Sequence, residues 1–326
     1  MRMRKLSLIA LVWLLVSPFI AHSVFGQEFP GRRPIIVVAP FPPGGATDLY
    51  ARAVADGLLR AWGQPVIVDN RPGASGMIGA DFVAKTPADG HTLLIGGPSL
   101  TILPSLNAEM AQTQKSLMPI STIGVSPSYV VVPASLPVNT IGEFIAYVKA
   151  SPGKYGFGSA GPGTSEQIFG ELFKQSLNVD MFHVPYKGTG PMIIDLIAGR
   201  VVMAVEQSPA VLPQVKAGRL KALAVTTPRR SLALPDVPTM AETVLPGFEA
   251  STWYAVYGPA GIPRNIVLKL NAEIVKTLAS PDIRNRLLNA GVEPESSTPE
   301  AVAEMARRDT AKWAAVIKSA NIRLDN

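Results

Sequence analysis

Short runs of β-forming residues alternate with helical patterns along most of the chain, and the alternation comes in two successive series. In the first, "PIIVVAP" (34–40) precedes a helix over 47–61, "QPVIVDN" (64–70) a helix over 77–85, and "HTLLIGG" (91–97) a short helix. Apolar runs bounded by Pro, Gly and Asp read as strands, and strands separated by helices predict a parallel α/β sheet. In the second, "YVVVP" (129–133) leads to a helix over 140–150, with Thr140 and Glu143 spaced as a capping box. "YGFGSA" (155–160), "MFHVPY" (181–186) and "VVMAVE" (201–206) each lead to a further helix, and "LKALAVT" (220–226) comes next. Two such series predict two lobes. No fixed-period repeat is present, so a solenoid is excluded.

A loop-rich segment at 231–240 precedes a strand within "STWYAVYGPAGIP" (251–263). After it come three helical patterns, 264–280, 281–291 and 298–320, without strands of their own. Such a tail must pack on a sheet already built. The simplest topology returns it to the first lobe, with chain crossings near Gly124 and near Trp253. The expected division is 27–124 with 253–326 as lobe 1, and 125–252 as lobe 2.

The first 26 residues are expected to be an export signal. Arg2, Arg4 and Lys5 precede an apolar run from Leu6 to Ile20, and small residues continue to Gly26. No later run reaches the ~18 apolar residues of a membrane helix. Removing 1–26 takes away three basic residues and no acids, so the formal charge of +6 becomes 6 − 3 = +3. The remaining basic residues are scattered, which argues against nucleic acid as a partner. The chain has no cysteine, which suits a periplasmic protein whose core is large enough to need no disulfides.

Glycine and proline gather between strands and helices. "PFPPGGATD" (40–48) opens the first helix, and "NRPGASGM", "GGPSL", "GSAGPGTSE" and "YKGTGP" stand in the same relation to their strands, with Pro191 placed at a first helical position. In a parallel sheet such loops emerge together at the carboxyl ends of the strands, where open α/β sheets bind ligands. Helix N-termini there offer unpaired N–H groups and partial positive charge, and glycine admits close approach. A single loop of this kind can be mere connection; five, spread over both lobes, point to a cleft for a small anion, most naturally a carboxylate. Lys187 could neutralise an anion or simply be solvated. Glu206 could receive an ammonium group or cap the next turn, and Tyr186 and Trp253 could wall an aromatic ligand or pack.

Catalytic motifs are missing. Ala46 and Thr47 follow Gly45 where a P-loop needs Lys and Ser/Thr, and no GxGxxG follows the first strand. Ser159 in "FGSAG" lacks the first glycine of a nucleophile elbow. After the signal only His91 and His183 remain, far apart and without metal-ligand spacing, and His183 reads as a satisfied core residue. No nucleophile, base and orienter assemble in the sequence, so neither an enzyme, a metal site nor a cofactor is expected.

The long motifs "VAPFPPGGATDLYARAVADGL", "GQPVIVDNRPGASGMIGADFVAKTPADGHTLLIG", "GKYGFGSAGPGTSEQIFGELFK", "HVPYKGTGPMIIDLIAGRV", "VKAGRLKALAVTTPRRSLALPDVPTMAE" and "YGPAGIP" closely resemble the Bug-type extracytoplasmic solute receptors of tripartite tricarboxylate transporters. The resemblance implies a two-lobed Venus-flytrap periplasmic binding protein fold with two chain crossings, a monomer that closes on a small carboxylate, and membrane transporter subunits as partners. It also implies contacts through loop amides and ordered water. By position, these come from Phe41, Pro42, Gly44, Gly45, Ala46, Thr47 and Asp48, and from Gly97, Pro98 and Ser99. The second lobe would add Ser159, Ala160, Gly161, Gly163, Thr164 and Ser165, then Tyr186, Lys187, Gly188 and Glu206. Two departures stand out: Gln167 where the family often has histidine, and Glu206 where aspartate is common, so the ligand's identity does not carry over. Glu206 favours a ligand with an amino group, and the lack of arginine in the main loops apart from Arg71 disfavours a tricarboxylate. A sensory receptor, a secreted hydrolase using Ser159 and a scaffold are the other readings.

Overall fold

The computed structural model describes residues 29–319 and 321–323. Met1–Gly31 and Arg32–Asn326 form separate units, and every helix and strand named belongs to the second. The export signal expected at 1–26 lies outside the described residues. The elements in chain order begin with β1 (Ile35–Ala39), α1 (Ala46–Trp62), β2 (Val66–Asn70), α2 (Met77–Ala84) and β3 (Thr92–Gly96). Next are α3 (Ser99–Ile102), α4 (Ala108–Lys115), β4 (Leu117–Ser126), β5 (Ser128–Pro133) and α5 (Ile141–Lys149). The chain continues through β6 (Gly156–Ser159), α6 (Ser165–Leu177), β7 (Phe182–Pro185), α7 (Thr189–Ile197), β8 (Met203–Gln207), α8 (Ser208–Lys216) and β9 (Leu220–Val225). Last come α9 (Met240–Thr243), β10 (Thr252–Pro259), α10 (Arg264–Ala279), α11 (Pro281–Asn289) and α12 (Pro299–Ser319).

Two five-stranded sheets result, ordered β2-β1-β3-β10-β4 and β7-β6-β8-β5-β9. The expected parallel sheet is corrected in one respect: β10 runs antiparallel to β3 and β4, and β5 antiparallel to β8 and β9. Each antiparallel strand is the one that arrives from the other lobe, so its direction is fixed by the crossing. One crossing is Pro127 alone, between β4 and β5; the other spans 226–251 between β9 and β10. The crossings are tied together, since Thr226 Oγ1 donates to Ser128 O and Ala250 O, at 3.1 and 2.7 Å.

The tail packs less simply than expected. α10 lies against α1 and β4 of the first lobe. α12 begins there too, with Val302 in the core beside Val38 and Leu94. Farther along, Trp313 and Ile317 enter the second lobe's core, where Trp313 lies 5.2 Å from the Phe169 ring. Trp253 is also turned inward: its Nε1 donates to Asp309 Oδ2 of α12 at 2.6 Å. No helix among the described residues is long and apolar enough to cross a membrane.

Two local expectations change. Thr140 does accept from Glu143 N, but the Glu143 carboxylate reaches Asn139 N rather than the cap's own N–H. α7 starts at Thr189 after Gly188, whose φ of +107° suits glycine, so Pro191 is the third helical residue and not the first.

Candidate functional site

The strand directions bring the carboxyl ends of β1 and β3 to face those of β6, β7 and β8. Between them is a cavity of about 590 Å³, a size typical of small-molecule sites. The first lobe lines it with Phe41, Pro42, Gly44, Gly45, Ala46 and Thr47, and with Gly97, Pro98 and Ser99. The second contributes Ala160, Thr164, Ser165, Lys187, Gly188 and Glu206. These are fifteen of the twenty residues singled out from sequence.

The other five are not on its wall. Asp48 faces its own loop, accepting from Gly44 N (3.1 Å), Arg52 Nε (3.0 Å) and Asn70 Nδ2 (3.2 Å). Burial pushes its carboxyl up, but those donors outweigh burial and hold it below the ordinary aspartate value. It braces the loop that presents Gly45 and Ala46. Gly161 and Gly163 serve the turn: Gly163 N donates to Gln167 Oε1 at 2.7 Å. Tyr186 turns to Asp195 Oδ2 at 2.9 Å, and burial together with that bond raises its hydroxyl to about 12. Of the residues weighed beside these twenty, Trp253 packs against α12. Arg71 pairs with Asp69 and lies over the Phe82 ring.

Ser159 is the fifth, and its surroundings bear on catalysis. The sequence separates it from His183, yet the structure sets Ser159 Oγ 2.6 Å from His183 Nε2, with Gln167 Nε2 3.3 Å from Nδ1. This looks like a nucleophile, base and orienter, but the hydrogen-bond directions run the wrong way. Because Gly163 N–H fixes Gln167 Oε1 as acceptor, Nε2 of that amide must donate to Nδ1. The imidazole then carries its proton on Nε2 and donates to the serine. Ser159 Oγ also accepts from Gly161 N and donates to Gly161 O, and the residue is fully buried. A serine so placed cannot give its proton to the histidine or reach a substrate. His183, expected within a core strand, is half-buried on the edge strand β7.

Besides α8, whose Gln207 cap, Pro209 and Ala210 also line the cavity, three helices of eight or more residues aim their N-termini at it: α1, α6 and α7. Their cap residues, Gly45, Thr164 and Gly188, make no side-chain cap bond. The first-turn N–H groups of such helices have no intrahelical partner and carry partial positive charge. Lys187 is the cationic side chain on the wall.

The floor of the cavity holds residues that sequence patterns did not single out. Glu166, Gln207 and Tyr254 line it together with Glu206. Tyr254 Oη donates to Gln207 Oε1 (2.7 Å), and Gln207 Nε2 donates to Glu166 Oε1 (3.2 Å). Glu206 Oε1 accepts from Gln207 N (2.8 Å), and Oε2 from Thr189 Oγ1 (3.2 Å). Burial raises both carboxyls, Glu206 well above its ordinary value, and the neighbouring Glu166 charge adds to the effect on Glu206. Tyr254 is raised by its burial and then by Glu166, so its hydroxyl stays a donor. The signal for Tyr254 was the antiparallel turn of β10, which brings that strand's amino end to the carboxyl end of β3 (Ala255 opposite Gly96). Glu166 reads in sequence as a first-turn acid complementing its helix.

Known proteins share this architecture. Residues 50–322 match the model of the tripartite tricarboxylate transporter family receptor. Protein BugT of Bordetella pertussis is 36% identical over 329 residues, covering 99% of this chain and all of that protein. An R. palustris protein solved with adipate superposes with a TM-score of 0.86 at 36% identity, over 91% of this chain and 99% of its own. MatC from Rhodopseudomonas palustris, solved with bound malate, gives 0.81 at 31% identity, over 89% and 100%. These relatives are binding proteins rather than enzymes. The two sheets, the facing loops and the length of the match lead to one conclusion: the chain is a solute-binding receptor of the Bug type and belongs to the tripartite tricarboxylate transporter receptor family.

Proposed function

We propose that the protein captures a small carboxylate-bearing metabolite in the periplasm and delivers it to a membrane transporter of the tripartite tricarboxylate type. The observation that carries this reading is the convergence of the uncapped N-termini of α1, α6 and α7, from both lobes, on one cavity of about 590 Å³. A carboxylate there would accept from first-turn amides such as those of Ala46, Thr47, Ser165 and Thr189, with Lys187 at the rim. Such backbone donors are fixed before the ligand arrives, so little ordering is needed to use them. Export would follow from residues 1–26, and the chain would work as a monomer.

In this reading the lobes, 27–124 with 253–326 and 125–252, move about Pro127 and the 226–251 segment. A ligand touching both lobes stabilises the closed arrangement by its greater affinity for it. Because α12 reaches both cores, closure would have to preserve its packing, which favours a small rotation. The names of the relatives solved with adipate and malate support a carboxylate as the class of ligand. A thermal-shift screen of the purified protein against aliphatic, amino and aromatic acids tests this. A ligand at about 100 times its Kd adds roughly 2.7 kcal/mol to stability. A shift with an acid and none with its amide is the expected result, and equal shifts with both would overturn the carboxylate reading.

A further inference from the structure

The floor of the cavity poses an electrostatic problem that the helix N-termini do not solve. Glu206 is 2% exposed and Glu166 6% exposed, and both lie on the wall. No cationic side chain among the described residues forms an ion pair with either carboxyl. Two carboxylates buried side by side without a countercharge are costly, and such a pair keeps a proton or takes up a cation.

The contacts fit both, one in the free protein and the other in the complex. Glu206 Oε1 and Oε2 each accept a hydrogen bond, from Gln207 N and Thr189 Oγ1, and Glu166 Oε1 accepts from Gln207 Nε2. The amide of Gln207 is itself oriented by Tyr254 Oη. These donors hold three of the carboxyl oxygens as acceptors, an arrangement compatible with one proton kept by the pair in the free protein and with a cation in its place. The opposite wall, from Phe41 to Thr47, presents the α1 N-terminus, and its one acid, Asp48, is turned away into its own loop. Both acids of the cavity wall therefore stand on the second-lobe floor, and the first-lobe wall carries none.

We propose that Glu206 and Glu166 form a subsite for a cationic nitrogen, so that the solute carries an ammonium-class group as well as a carboxylate. The proposal rests on the carboxylate reading and narrows it. The proton held by the pair in the free protein leaves when the cation enters. The other titratable or charged groups at this floor are Tyr254 from β10, Tyr129 beside Glu206 on β5, and Lys187 from the β7–α7 loop. On α7, Asp195 is engaged by Tyr186 and Arg200, and α8 lines the wall with Pro209, Ala210, Pro213 and Gln214, none of them charged.

The test is calorimetric titration with matched acids: succinate against aspartate, glutarate against glutamate, adipate against 2-aminoadipate, and butyrate against 4-aminobutyrate. At least one aminated member should bind about tenfold or more tightly than its partner. Its heat, compared in two buffers of different ionisation enthalpy, should show proton release. Glu206→Gln should abolish that preference, so that the aminated member loses about tenfold or more relative to its unaminated partner. The proton count on the unaltered protein stands even if the variant fails to fold. Tighter binding of the unaminated members, or proton uptake, overturns the subsite and leaves the carboxylate receptor intact. Binding of none of the eight overturns this inference, and the carboxylate reading falls only if every acid of the thermal screen fails as well.

Discussion

Tyr254→Phe removes one oxygen and keeps the ring. The ring is held independently of that oxygen: it lies 4.9 Å from the Tyr50 ring, and a methyl group on Gly97 would come within 2.5 Å of its Cε1. The substitution therefore isolates the 2.7 Å bond to Gln207 Oε1, which joins β10 of the first sheet to β8 of the second. Losing an ordinary buried bond costs about 1 kcal/mol, and an acceptor left without a donor raises the total to about 1–3 kcal/mol. In a chain of this size each kcal/mol moves Tm by roughly 2–4 °C, so Tm should fall by several degrees. Urea and thermal unfolding read the effect directly. Gln207→Met removes the other partner, and the double variant should cost at least about 1 kcal/mol less than the sum of the singles. A Tyr254→Phe protein within about 0.3 kcal/mol of the parent, or strictly additive variants, would refute the claim that this bond ties the lobes.

Three further outcomes are expected. Folded Glu206 keeps its proton above the ordinary 4.5, so its contribution to stability is complete below that pH and is lost as pH rises through the folded value. Urea titrations from pH 4.5 upward should show the parent losing stability more steeply than Glu206→Gln, and equal slopes would refute the raised carboxyl. Gly124→Ala would place a methyl 2.6 Å from Glu293 O and 2.9 Å from Tyr50 Oη, at a φ of +154°. It should cost about 1–3 kcal/mol in denaturant unfolding, and a neutral result would contradict the close packing of β4 against Glu293 and Tyr50. Ser75 Oγ donates to Pro162 O from the β2–α2 loop of one lobe to the β6–α6 loop of the other. Ser75→Ala should weaken ligand binding by about 0.5–1.5 kcal/mol in calorimetry, and an unchanged Kd would show that the contact plays no part in closure.

The strands and helices that carry strong periodicity were legible in the sequence, and so were the glycine-rich loops after them. β4 was not. "LMPISTIGVS" holds a proline and a glycine, and its identity as a strand comes from pairing with β10 along its length, from Leu117 opposite Pro259 to Ser126 opposite Thr252. Pro119 is tolerated because β4 is an edge strand. α4 is polar along its length and is marked chiefly by its cap, Asn107 accepting from Met110 N. In the site, the first-lobe loop was readable because proline and glycine are unusual before a helix. Tyr254 and Gln207 were hidden because only the crossings between lobes bring β10 and β8 together. Ser159 and His183 were hidden for a related reason: parallel pairing of β6 with β7 places side by side two residues that are 24 apart in the chain.

The most direct test of the central claim is a crystal structure of the protein with the tightest-binding acid from the thermal screen. The acid should lie in the cavity between the lobes, its carboxylate oxygens about 3 Å from first-turn amides of α1, α6 or α7. A carboxylate bound elsewhere, or lying in the cavity but turned away from all three helix N-termini, would contradict the claim.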